Sequence, residues 1–237
     1  MTAKEFRLAR KQYGWTQVKM AKRLGLSQPY LALLENGKRQ VGPKLLKKLA
    51  GVLKLRPTVL PLPDFLQTPD FLQTKVSPKS LAQQVAALGY PGFGYMRGAR
   101  KRNPAEVLLT ALAQDNLESR LTEALPWVLL HYPEMNADWL RDQARLCNLS
   151  NRLGFVVSLA KGTAGKMGDT NSTRYRWLDH LETQLRESRL DKEDTLCQES
   201  LSDREREWLL ETRPTEADYW HVLTDWRPEH LQYADVT

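Results

Sequence analysis

The chain has 237 residues, 41% of them apolar, and carries a formal net charge of +7. That is enough apolar material for one large domain or two modest cores, and it excludes a disordered or fibrous chain. No apolar run approaches the roughly 20 residues that span a bilayer, the amino terminus lacks a signal-peptide pattern, and two cysteines fifty residues apart make neither a disulfide framework nor a metal cluster.

The charge is unevenly spread. Residues 1–56 hold fourteen Lys and Arg against Glu5 and Glu35, a net +12, whereas residues 57–237 sum to −5. Such a partition points to a polyanion-binding segment in front of a mildly acidic body. The expected location is the cytoplasm.

In chain order, Phe6, Ala9, Arg10 and Tyr13 fall on one helical face, and Gly14 ends that segment. Thr16 caps a second helix reaching Leu24, with Val18, Ala21 and Leu24 expected to face inward before Gly25 breaks it. After three residues comes "SQPYLALLENG": Ser27 is an N-cap, Pro29 fits only a first turn, and Asn36-Gly37 stops the helix. Leu31 and Leu34 share its inner face, which leaves Gln28, Pro29, Tyr30 and Leu33 pointing elsewhere. A fourth helix spans about Pro43 to Leu53 and is expected to bury Leu45, Leu46, Leu49 and Leu53.

Two short helices joined by so tight a break form a helix-turn-helix, in which the second helix enters the major groove and its first residues meet base edges. "TQVKMAKRLGLSQPYLALLENGKR" followed by "LLKKLAGVL" resembles the phage-repressor-like (Cro/cI, Xre) helix-turn-helix family over about residues 3–56. The resemblance implies a bundle of five short α-helices of the lambda-repressor kind, of which residues around Thr58 to Leu62 supply at most a proline-limited fifth, double-stranded DNA as partner, and a homodimer on a palindromic site. It also implies an internal ion pair between Arg10 and Glu35. Gln28 has the chemistry for a bidentate contact with adenine, Tyr30 for a phosphate or base edge, and Leu33, beside Pro29, for a thymine methyl. Thr16 and Gln17, at the start of the second helix, are candidate phosphate ligands, as are Asn36, Lys38 and Arg39 beyond the third.

Residues 61–76 are proline-rich and contain PDFLQT twice, at 63–68 and 69–74. Proline at that spacing prevents regular helix, so the segment is expected to connect a DNA-binding domain at 1–60 with a helical domain at 77–237. There, helices are expected from Pro78 to Leu88, Pro104 to Ala113, Leu117 to His131, Ala137 to Cys147 and Leu149 to Ala160. "KGTAGKMGDTNS" (161–172) reads as a glycine-rich loop, and further helices run from Thr173 to Ser188, Ser202 to Thr212 and Glu216 to Asp225. Nothing alternates at period two, so the expected class is all-α without a substantial sheet.

"ALGYPGFGYMRGARKR" interleaves Tyr90, Phe93 and Tyr95 with glycine and ends in Arg97, Arg100, Lys101 and Arg102, a second candidate basic patch for nucleic acid or an acidic protein. No histidine or cysteine spacing matches a metal site, and "GTAGKMG" lacks both the glycine spacing and the Ser/Thr of a phosphate loop. No cofactor, metal or catalytic residue is therefore expected. The function read from these features is a transcriptional regulator, a repressor whose body dimerises. The alternatives are an antitoxin that represses its own promoter and holds a toxin with its acidic body, and an enzyme with an appended DNA-binding module.

Overall fold

The structure, a computed structural model, describes residues 3–63 and 76–231. Most of both PDFLQT copies, residues 64–75, lies outside them. The chain divides into two compact units, Met1–Leu62 and Pro63–Thr237.

The first unit contains α1 (Ala3–Gln12), α2 (Gln17–Leu24), α3 (Gln28–Glu35), α4 (Pro43–Val52) and a single 3-10 turn, Pro57–Val59. Short-range signals delimit these helices. The Thr16 hydroxyl accepts from the Lys19 amide, Ser27 accepts from the Tyr30 amide, and Gly25 ends α2 in the left-handed region at φ 64°. Phe6, Met20, Leu24, Leu31, Leu34, Leu49 and Leu53 close one small core, with Ala9 and Ala21 filling between them. One inward assignment fails: Val18 is 66% exposed and Met20 is buried. At about 100° per residue the Met20–Ala21–Leu24 stripe turns Val18 away from the core. Leu45 is only half-buried, and Tyr13 is exposed along its ring while its hydroxyl donates to the Leu53 carbonyl at 2.7 Å.

The second unit is helical as well: α5 (Pro78–Leu88), a 3-10 turn (Pro91–Phe93), α6 (Pro104–Leu112), α7 (Ser119–His131), α8 (Ala137–Leu146), α9 (Ser150–Lys166), α10 (Thr173–Arg186), α11 (Asp203–Thr212) and α12 (Thr215–Tyr219). The architecture is all-α. Extended structure among the described residues amounts to β1 (Asp194–Thr195) paired in parallel with β2 (Val222–Leu223), and one bridge between Asn116 and Gln198. Among the described residues no helix is long and apolar enough to cross a membrane.

α9 is the axis of this unit. Every residue from Ser150 to Ala160 is buried, and the helix packs against α6, α7, α8 and α10. Here the expected glycine-rich loop is corrected: residues 161–166 continue α9, and only Met167–Ser172 turn the chain toward α10. Two glycines of α9 serve close approach. A Cβ at Gly154 would stand 2.4 Å from the Trp220 ring, and one at Gly162 would stand 2.9 Å from Pro228. The expected helix from Glu216 to Asp225 is corrected for the same reason. It stops at Tyr219 so that Trp220 can enter the core, and His221, at φ 51°, redirects the chain into β2.

Two polar clusters buried beside α9 are hydrogen-bonded. The Arg152 guanidinium donates to both carboxylate oxygens of Asp194 (2.8 and 2.7 Å), to Glu199 (2.7 Å) and to the carbonyls of Leu112 and Gln114 (3.0 and 3.1 Å). Ser158 donates to Glu182 at 2.6 Å and accepts from the Trp220 indole at 2.8 Å. Both cysteines are free thiols; burial pushes Cys197 up to about 12, which keeps it protonated and unreactive at neutral pH.

Candidate nucleic-acid interface

The helix pair α2–α3 carries the candidate site. Leu31, Leu34 and Glu35 hold α3 in the core, so Gln28, Pro29, Tyr30 and Leu33 share an exposed flank, with Tyr30 and Leu33 open to 37% and 38%. Asn36, Lys38 and Arg39 follow in an exposed turn, made by Gly37 at φ 72° and closed by the Lys38 amide donating to the Leu33 carbonyl. Thr16 is exposed at the start of α2, and Gln17 beside it is half-buried.

Beneath this flank lies a hydrogen-bonded chain: its Arg10–Glu35 pair is the one that the family resemblance implies, whereas its extension through Gln17 to Gln28 is not revealed by sequence patterns. Arg10 and Glu35 form a buried bidentate pair, Nε to Oε1 at 2.5 Å and Nη2 to Oε2 at 2.9 Å, and Arg10 Nη1 donates to the Trp15 carbonyl at 2.5 Å. Gln17 Nε2 donates to Glu35 Oε2 at 2.9 Å, and Gln28 Nε2 donates to Gln17 Oε1 at 3.0 Å. Burial alone would raise the Glu35 pKa; the hydrogen bonds from Arg10 and Gln17, with the positive charges of Arg10 and Arg7, outweigh it and hold the carboxyl below its ordinary range. The Glu35 hydrogen bond in turn holds Arg10 above its ordinary value.

The amide inventory of this chain decides what the two glutamines can offer a ligand. Gln28 spends one N–H on Gln17 and keeps one N–H and its carbonyl oxygen, the donor and acceptor that an adenine edge needs. Gln17 spends its oxygen on Gln28 and one N–H on Glu35, which leaves one N–H for a phosphate. Sequence reasoning assigned Gln17 to the phosphate and missed its second role as a brace for Gln28; its three-way contact depends on the turn between α2 and α3.

A second feature gathers around Trp15. The Arg23 guanidinium stacks over the half-buried Trp15 ring at 4.4 Å, with the Lys19 ammonium 6.0 Å from the same ring. Trp15 itself leans on Tyr13, ring centroids 5.0 Å apart. Trp15 thus gathers two cations of α2, and an isolated tryptophan before a helix cap is the only sequence signal for it.

Residues 6–60 match the helix-turn-helix family model. They are a DNA-binding helix-turn-helix of the Cro/cI type. No curated protein and no solved structure matches the chain.

The basic stretch of the second unit is reshaped by the fold. Tyr90 and Phe93 are core residues, their rings 5.6 Å apart, and Tyr90 also meets Trp127 at 5.5 Å, so the interleaved aromatics are not a stacking surface. Tyr95 alone of the three is exposed. Arg97, Arg100, Lys101 and Arg102 are exposed, and Arg102 pairs with Glu106 at 2.8 Å.

Proposed function

We propose that the chain is a sequence-specific transcriptional repressor of the cytoplasm that reads an inverted-repeat site as a homodimer. The observation that carries this reading is the exposed α3 flank, with Gln28 oriented through Gln17 by the buried Arg10–Glu35 pair. A reader whose amide is already held loses less rotamer freedom on binding, which favours discrimination between bases over loose attachment. Tyr30 and Leu33 add a hydroxyl and an apolar edge to the groove contact. The remaining N–H of Gln17, with Thr16, Asn36, Lys38 and Arg39, serves the phosphates and fixes the register without reading sequence. Two such flanks, one per protomer, fall about 34 Å apart on one face of the duplex, and occupancy of a promoter then excludes polymerase.

Selection of sites from a random DNA pool by the full-length chain tests this. The expected result is an inverted repeat whose half-sites contain an adenine that Gln28→Ala no longer requires. Lys38→Ala is expected to weaken binding to all sequences alike. A selected site without two-fold symmetry overturns the dimer, and unchanged base preference in Gln28→Ala overturns its role.

A further inference from the structure

The charge of the second unit is itself divided. Residues 76–105 contain five Lys and Arg and no carboxylate, whereas residues 106–237 contain fifteen Lys and Arg and twenty-four Asp and Glu, a net −9. In the acidic part, several cations pair with carboxylates: Lys161 with Asp179 and Glu182, Arg213 with Glu193 and Asp218, Lys166 with Glu229. In the loop that enters α6 such pairs are sparse. Among the described residues, Arg97, Arg100 and Lys101 pair with no carboxylate, and only Arg102 has one, Glu106.

This loop is built as a bracket. Phe93 anchors it in the core, the Met96 amide donates to the Phe93 carbonyl at 2.9 Å, and Gln83 of α5 donates to the Arg97 carbonyl at 3.2 Å. The Arg97 guanidinium donates to the Gly94 and Met96 carbonyls at 2.7 and 3.3 Å, Gly98 turns the chain at φ 101°, and buried Asn103 caps α6. The bracket carries Tyr95, 69% exposed, and four cations to the surface. These hydrogen bonds hold the loop as far as Arg97 and again at Asn103, and Arg100 and Lys101 lie between the two anchors. The chain carries a helix-turn-helix at residues 6–60, so duplex DNA is the polyanion to which the rest of the sequence already points.

We propose that the loop 95–102 is a second contact with duplex DNA, in which Arg100 and Lys101 neutralise backbone phosphates outside the base pairs read by α3, with Arg97 and the Tyr95 hydroxyl beside them. The contact is independent of sequence and rests on the reading of α3 as the DNA-binding element.

Titration of the full-length chain against a random-sequence duplex of about 40 base pairs over a range of salt tests it, because each phosphate contact contributes about 0.9 to the slope of log affinity against log salt. For the double variant Arg100→Ala/Lys101→Ala the expected result is a slope lower by roughly 2 and about tenfold weaker binding near physiological salt, with an unchanged melting curve. Arg100→Glu/Lys101→Glu is expected to weaken binding further. An unchanged slope and affinity in both variants, while Lys38→Ala/Arg39→Ala loses affinity, overturns the loop contact and leaves the α3 reading standing. If Lys38→Ala/Arg39→Ala also binds as the parent does, the α3 reading falls, and the loop proposal with it. Altered self-association of the glutamate variant without altered DNA binding assigns the loop to a protein surface and overturns the proposal as well.

Discussion

In the first unit, Arg10 is buried against one carboxylate and its network runs outward, through Glu35 and Gln17, to Gln28 on the surface. In the second, Arg152 is buried at the start of α9 and its network closes on itself: two carboxylates and two carbonyls, from segments about forty residues away on either side, take up its donors. The contrast separates two uses of a buried guanidinium. One transmits order to a surface that must present a defined amide; the other ties β1 and the end of α6 to the axis of a helical body. A buried charge with one partner removed is strongly destabilising in either setting, but only the first should alter what the protein recognises.

The largest effects expected are on stability. Arg152→Leu leaves Asp194 without its cation and is expected to cost the second unit about 3–5 kcal/mol, and Arg10→Leu to cost the first unit a similar amount. Chemical denaturation followed by amide exchange, which reports the units separately, checks that each loss stays within its own unit. A loss shared equally between both would break the comparison. Next in size is Gly154→Ala. The new methyl would meet the Trp220 ring, and overpacking of that kind costs about 1–3 kcal/mol, read as a lower denaturation midpoint of the second unit with α3 exchange unchanged.

The smallest effects concern the outward network. Gln17→Ala releases the Gln28 amide and is expected to weaken specific binding by about 1 kcal/mol with no change of fold, measured by titration against the selected site. Glu35 sharpens the same point through pH. Its folded-state pKa lies below its unfolded one, so its contribution to stability is complete above the ordinary carboxylate range and is lost as the pH falls through the folded value. Glu35→Gln is expected to flatten that acid limb of the first unit, and Asp194→Asn to leave it untouched.

Legibility followed the same division. In the first unit Thr16, Ser27, Gly25 and Pro43 act within a turn of where they stand, so helix ends and the exposed flank of α3 were readable from spacing. Met20 in place of Val18 was missed, because an eight-residue helix offers several apolar stripes and only the packing of α3 and α4 selects one. In the second unit "KGTAGK" has the composition of a loop but lies in a helix, where the absent side chain of Gly162 admits Pro228, as that of Gly154 two turns earlier admits Trp220. Tyr90 and Phe93 read as a surface beside arginines until Trp127 and α5 covered them.

Composition and short-range pattern determined that this chain is all-α, that its positive charge is concentrated in the first quarter, and that a stubby helix beginning after Ser27 turns an amide, a phenol and a leucine away from the core. These are consequences of backbone caps and helical period, which act over one or two turns. The bracing of Gln28 by Gln17 and Glu35, the closure of Arg152, and the choice between loop and helix at 161–166 were decided only by the tertiary structure. Each depends on groups that are far apart in the chain and meet only when the cores have closed.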